Sequence, residues 1–200
     1  AAPGIEDDGA FSPFEVLPEL VMNNGREYLD ALAKPERFTP ESIVYARTIL
    51  EDKIRTVLEA EAPIEADRLA KFVGNTLGLK PVKQPRVDLI LKFVPENQIT
   101  RTRFGAFVWL SPTQAESWSS YRHADLGTRE YDQVAPQEYT NALLDVVEHG
   151  RSLLEEEAIS LVAQQFGLGT ETKTGGFRVG KHAKNRIKEI LDQVIQAGLL

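Results

Sequence analysis

Residues 62–79 read APIEADRLAKFVGNTLGL, and residues 151–168 read RSLLEEEAISLVAQQFGL. Set in register, Ile64 falls on Leu153, Leu69 on Ala158, Phe72 on Leu161 and Val73 on Val162. Leu77-Gly78-Leu79 then falls on Phe166-Gly167-Leu168. Apolar positions three and four residues apart, closed by a glycine, predict a short amphipathic helix with a C-terminal stop. Two such helices in one chain predict two copies of one structural unit.

The surroundings of the first copy extend the pattern. Thr39-Pro40-Glu41 combines an N-cap residue, a proline suited to the first helical position and an acid for the positive end of the dipole. Ile43, Ala46, Leu50, Ile54, Val57 and Leu58 follow as one apolar stripe, predicting a helix to about Glu61. Pro63 sets a short extended break, and a second helix is expected from Glu65 to Leu77. A third is expected from Pro85 to Val94, halted by Pro95. Gln98-Ile-Thr-Arg-Thr and Ala106-Phe-Val-Trp-Leu110 then read as two strands joined around Gly105. Three helices followed by a hairpin is the winged helix-turn-helix order. In the second copy, Tyr139, Leu143, Val146 and Val147 line a first helix opening at Pro136. Ser152 and Glu155 stand at capping-box spacing for the second helix. The third, residues 181–197, carries Ile187, Ile190, Leu191, Val194 and Ile195 on one face. Only Leu199 and Leu200 follow Gly198, so no wing is expected after it.

The expected fold is therefore mainly α with a small β-hairpin, an α+β chain of two tandem winged-helix-like or helix-turn-helix-like units, the second lacking a wing. Residues 1–38 are an arm, 39–111 the first unit, 112–134 a linker and 135–200 the second unit. One short helix carrying Leu20, Leu29 and Leu32 is expected in the arm, and Trp118 and Tyr121 are expected to anchor the linker.

Composition narrows the chemistry. The chain has 200 residues, 42% of them hydrophobic and 26% charged, the balance of an ordinary globular chain. It contains no cysteine, which excludes disulfides, thiolate catalysis and cysteine-based zinc sites, and only three histidines. No apolar run approaches the ~20 residues that span a bilayer, so no membrane contact is expected and a cytoplasmic location is. The opening Ala1-Ala2-Pro3-Gly4 lacks an initiator Met and suggests a piece of a longer protein. Net charge is −7, but residues 80–103 carry a net +4 and residues 171–188 a net +5.

Two apparent motifs dissolve on inspection. Gly167-Leu-Gly-Thr-Glu-Thr-Lys173-Thr174 is one residue short of a phosphate-binding loop and lacks a strand before it and a helix after it. Glu155-Glu156-Glu157 lie about 100° apart around a helix and cannot converge on one cation. No catalytic residue, metal site or cofactor is expected in these residues.

The basic clusters remain. On the third helix of the second unit, the face opposite the apolar stripe centres on Asn185, with His182 and Glu189 beside it. Lys181, Arg186 and Lys188 flank that face, and Lys173 and Arg178 precede it. Cations that hold phosphates around short polar groups that reach base edges suit a helix resting on DNA. The first unit can offer Arg101 and Arg103 from its wing. Its third helix is apolar nearly all round, with Leu89 and Phe93 outside the main stripe, so this face is expected to be covered, by the arm, the other unit or another domain. Trp109 and Phe107 are expected in the core.

Residues 54–200 resemble the tandem C-terminal repeat of large bacterial superfamily-one DNA helicase-like proteins. Val57-Leu-Glu-Ala-Glu-Ala-Pro-Ile64, the Gly78 and Gly167 stops, Gly105-Ala-Phe-Val-Trp109 and Pro136-Gln-Glu-Tyr-Thr-Asn-Ala-Leu143 carry the likeness. Lys80-Pro-Val-Lys-Gln-Pro-Arg86 departs from it, standing where the family has a Gly/Arg turn. The resemblance implies a non-catalytic accessory module of an ATP-dependent DNA helicase, with the motor elsewhere and DNA and other domains of the parent as partners. Two other readings compete with DNA positioning: an interdomain docking module using Leu89 and Phe93, and a stand-alone transcription regulator.

Overall fold

The structure, a computed structural model, describes residues 24–150 and 153–200. It is mainly helical with two small antiparallel sheets. Leu20 and Ser152, and with Ser152 the expected capping box, lie outside the described residues.

The first unit opens with α1 (Gly25–Ala33), capped by the Asn24 side chain, which accepts from the Glu27 N–H. Leu29 of α1 is buried in the first core cluster, and Tyr28 and Leu32 pack against it, so this part of the arm is docked. Helix α2 (Pro40–Glu61) starts as expected, with Thr39 Oγ1 accepting from the Ser42 N–H at 3.2 Å. Ala46, Leu50, Ile54, Val57 and Leu58 form its buried stripe, while Ile43 is only half-buried. The break at Pro63 is more than a break. Ile64 and Glu65 form strand β1, and the Glu65 carboxylate then caps α3 (Ala66–Thr76) by accepting from the Asp67 and Arg68 N–H groups. Helix α4 (Gln84–Leu91) is shorter than expected and ends three residues before Val94. Strands β2 (Ile99–Thr102) and β3 (Gly105–Val108) complete a three-stranded sheet in the order β1-β3-β2, with Val108 opposite both Ile64 and Ile99.

In the second unit, α6 (Pro136–His149), α7 (Glu155–Gln165) and α8 (Lys181–Gln196) pack on one another around a second core cluster that includes Tyr139, Leu143, Phe166 and Ile187. At the start of α7 the Leu154 N–H is held by the Glu157 carboxylate at 2.8 Å, so the N-terminal carboxylate contact comes two residues later than Glu155. No wing follows α8. A hairpin does precede it: β4 (Gly169–Glu171), in the run that falls one residue short of a phosphate-binding loop, pairs with β5 (Phe177–Val179). The strands form because Phe177 and Val179 pack against the second core while Arg178 between them points out, an alternation too short to stand out in sequence.

The segment between the units is ordered against both. It contains the short helix α5 (Gln114–Ser117). Trp118 meets the buried Trp109 edge to face at 5.6 Å, and Tyr121 meets Phe166 at 5.9 Å. Trp109 and Phe107 are core residues, as expected.

Candidate nucleic-acid interface

The hairpin and the start of α8 bring three of the nine candidate basic-face residues to one place, with a fourth in the hairpin turn. Arg178 on β5, then Lys181 and His182 in the first turn of α8, line a concavity of about 370 Å³. Lys173 sits in the turn between β4 and β5. Lys173, Arg178 and Lys181 are exposed, and among the described residues none of them makes an ion pair. Gly180, the N-cap of α8, provides no side-chain cap, so the first-turn N–H groups face the same concavity with the positive end of the helix dipole. Glu130 is the one carboxylate in its lining. Asn185, exposed, follows one turn along the helix.

The other candidates lie elsewhere in the fold. Arg186 is half-buried. Its guanidinium lies over the rings of Phe104 (4.4 Å) and Tyr131 (5.5 Å), joining the turn of the first unit's wing to the second unit. This geometry removes it from the set of phosphate ligands that the helical wheel suggested. His182 stacks on Tyr131 with 5.6 Å between ring centroids. Lys188 is hydrogen-bonded to Glu155, which pushes its pKa up and holds it charged. Lys184 pairs with Glu156 at 2.7 Å. The first turn of α7 thus neutralises one flank of α8, a contact that no spacing within α8 could indicate. Arg101 pairs with Glu96, and Arg103 reaches Glu189 of α8 at 2.9 Å. Both wing pairs are exposed, and such pairs hold by at most about 1 kcal/mol.

Leu89 and Phe93 are half-buried and pack against their own unit's core, with the Arg47 guanidinium 5.4 Å from the Phe93 ring. Helix α1 packs on α4. Phe93 also borders a hollow of about 440 Å³ shared with Ile54, Leu58 and the exposed Leu110.

A buried ionic network joins residues with no recognisable spacing in the sequence. Glu138 is fully buried on α6, its carboxylate 2.9 Å from Arg129 Nη1 and 3.3 Å from Arg122 Nε. Arg122 continues across to the first unit, donating to the carbonyls of Glu61 and Pro63. A proline-led Pro136-Gln-Glu helix start was the only hint, and it marks a helix end rather than a buried charge.

Groups with shifted pKa values are dispersed over both units. Burial and a 2.6 Å hydrogen bond to Asp145 push the Tyr121 phenol up to about 12. The same residue's backbone carbonyl, 2.9 Å from His149 Nδ1, raises that imidazole. Burial lowers Arg68 and raises Tyr139. Among the described residues no group of acidic or histidine side chains is placed to hold a metal ion, and no helix is long and apolar enough to cross a membrane. In comparisons with known proteins, no family model, no curated protein and no solved structure matches the chain.

Proposed function

We propose that this chain is a non-catalytic module that contacts duplex DNA weakly through the β4–β5 hairpin and the N-terminal half of α8, positioning it for a helicase motor in a larger cytoplasmic protein. One observation carries the reading. Arg178 and Lys181 are exposed, have no ion-pair partner among the described residues and line a concavity beside an uncapped helix N-terminus, with Lys173 in the hairpin turn, while the neighbouring Lys184 and Lys188 are already satisfied by α7. Cations left without carboxylate partners around a shallow concavity favour phosphate oxygens, which also accept from backbone N–H groups. Asn185 and His182 lie next along the helix where base edges would come. The attachment to a helicase rests on the sequence resemblance alone.

The test is duplex binding by the 200-residue chain titrated against salt. Wild type should bind with micromolar or weaker affinity and a steep salt dependence. Lys173→Glu/Lys181→Glu should lose at least ~10-fold at about 50 mM salt while its thermal unfolding stays unchanged. Equal binding by wild type and this variant would overturn the assignment.

A second reading has its own support in the hollow beside Phe93, where Leu110 stays exposed. In that reading the module docks another domain of the parent through Phe93 and Leu89. Phe93→Ala would then abolish docking and leave DNA binding intact.

A further inference from the structure

The stretch that departs from the family resemblance, residues 80–86, forms one wall of a wide groove in the first unit. This groove, about 930 Å³, runs between the α3–α4 turn and the start of α1. Lys80, Lys83 and Arg86 line it from the turn and the first turn of α4, and Arg26 lines it from the first turn of α1. None of its lining residues is an acid, and among the described residues none of these four cations makes an ion pair. That is unusual in a chain with a net charge of −7, where carboxylates outnumber cations. Like charges held around one trough repel each other, and among the described residues no carboxylate lines it opposite them.

The trough is built, not incidental. A Cβ on Gly25 would stand 2.1 Å from the Leu77 carbonyl oxygen, so α1 is seated directly on the end of α3. Its floor is the nearly buried Leu77 and Leu79.

We propose that this groove is a second nucleic-acid contact, in which the phosphates of a duplex backbone lie against Arg26, Lys80, Lys83 and Arg86. It is separate from the α8 surface and stands or falls independently of it. The chemistry of the lining selects the ligand class. The groove is open and many times the size of a phosphate ion, which suits a repeating polyanion more than one small anion. No sheet edge borders it, so an acidic peptide would find no row of backbone donors and acceptors to pair with. No aromatic ring lines it for base stacking, and its one amide, Asn24, is engaged in capping α1. What remains is sequence-independent contact with the backbone. Placement at the turn and first residues of the third helix is also where a helix-turn-helix unit meets a duplex.

The experiment compares the 200-residue wild type with Lys80→Glu/Lys83→Glu, Lys173→Glu/Lys181→Glu and the four-site combination, using a labelled 20-bp duplex of arbitrary sequence as probe. The groove variant should weaken binding at least ~10-fold and reduce the slope of log K against log salt by about 2, with the same loss on a second, unrelated duplex sequence. Thermal unfolding is recorded for each protein, and Lys80→Gln/Lys83→Gln replaces the Glu variant if that one unfolds. Wild-type affinity in the groove variant overturns the proposal even if the α8 variant fails to bind. Loss in the groove variant with no change in the α8 variant supports the groove and removes the α8 surface instead. No duplex binding by wild type removes both. Displacement of the duplex by a poly-glutamate peptide of equal charge, at equal strength, would show a groove that merely takes polyanions and would also overturn it.

Discussion

Glu138 holds a carboxylate with none of its surface exposed, against an Arg129 side chain that is only 6% exposed. Removing one partner of a buried pair leaves the other charge in a low-dielectric site, a larger cost than the pair's net contribution. Glu138→Ala is therefore expected to lower the unfolding free energy by about 3–5 kcal/mol in urea titrations. The same substitution at Glu59, exposed on α2, should change it by less than ~0.5 kcal/mol. A loss below ~1 kcal/mol at Glu138 would mean the network is solvated in solution. At this scale the sequence was least legible. Arg129 stands nine residues from Glu138 and Arg122 sixteen, separations that match no helical or strand period. Arg186 misled for a related reason: a helical wheel places it on a polar face, but cannot show that Phe104 and Tyr131 arrive there from other elements.

Helices α3 and α7 were legible because their signals are local. Both end in a glycine at positive φ, +77° at Gly78 and +63° at Gly167. Both then close identically: the Leu79 N–H bonds the Gly74 carbonyl and the Leu168 N–H the Ala163 carbonyl, each at 2.9 Å. Their surroundings differ. Nothing lies within 4 Å of a Cβ on Gly78, whereas a Cβ on Gly167 would stand 2.3 Å from the Asp125 carbonyl oxygen, because the inter-unit segment crosses there. Gly78→Ala should thus cost only the ~1–2 kcal/mol of left-handed backbone. Gly167→Ala should cost a further ~1–3 kcal/mol for the displaced segment, read as a larger fall in unfolding midpoint. Equal losses would show that the segment is not seated on the helix end. The β4–β5 hairpin escaped sequence reading at the same scale. Its two strands have three residues each, and Gly169-Thr-Glu171 has no β-forming run.

The two units meet through the wing of one and the third helix of the other. Arg186 lies between Phe104 and Tyr131, and Arg103 reaches Glu189. Arg122 adds its contacts to Glu61 and Pro63 from the intervening segment. A double-mutant cycle on Arg186→Ala and Phe104→Ala should give a coupling energy of about 0.5–2 kcal/mol, since a partly desolvated guanidinium over a ring exceeds an exposed one. Strict additivity would mean that the Arg186–Phe104 contact does not form in solution.

By itself the sequence determined what depends on neighbours along the chain: the duplicated helix with its glycine stop, the Thr39-Pro40 helix start, the β2–β3 hairpin, and the two basic stretches. Periodicity, capping and backbone restriction act over a few residues, so they are written locally. Only the tertiary structure decided which of those cations stay free. Glu155 and Glu156 neutralise Lys188 and Lys184 from another helix, aromatic rings from two segments take Arg186, and Arg26 joins Lys80, Lys83 and Arg86 across a groove. Charge pairing depends on distance in space, and packing alone brings those groups together.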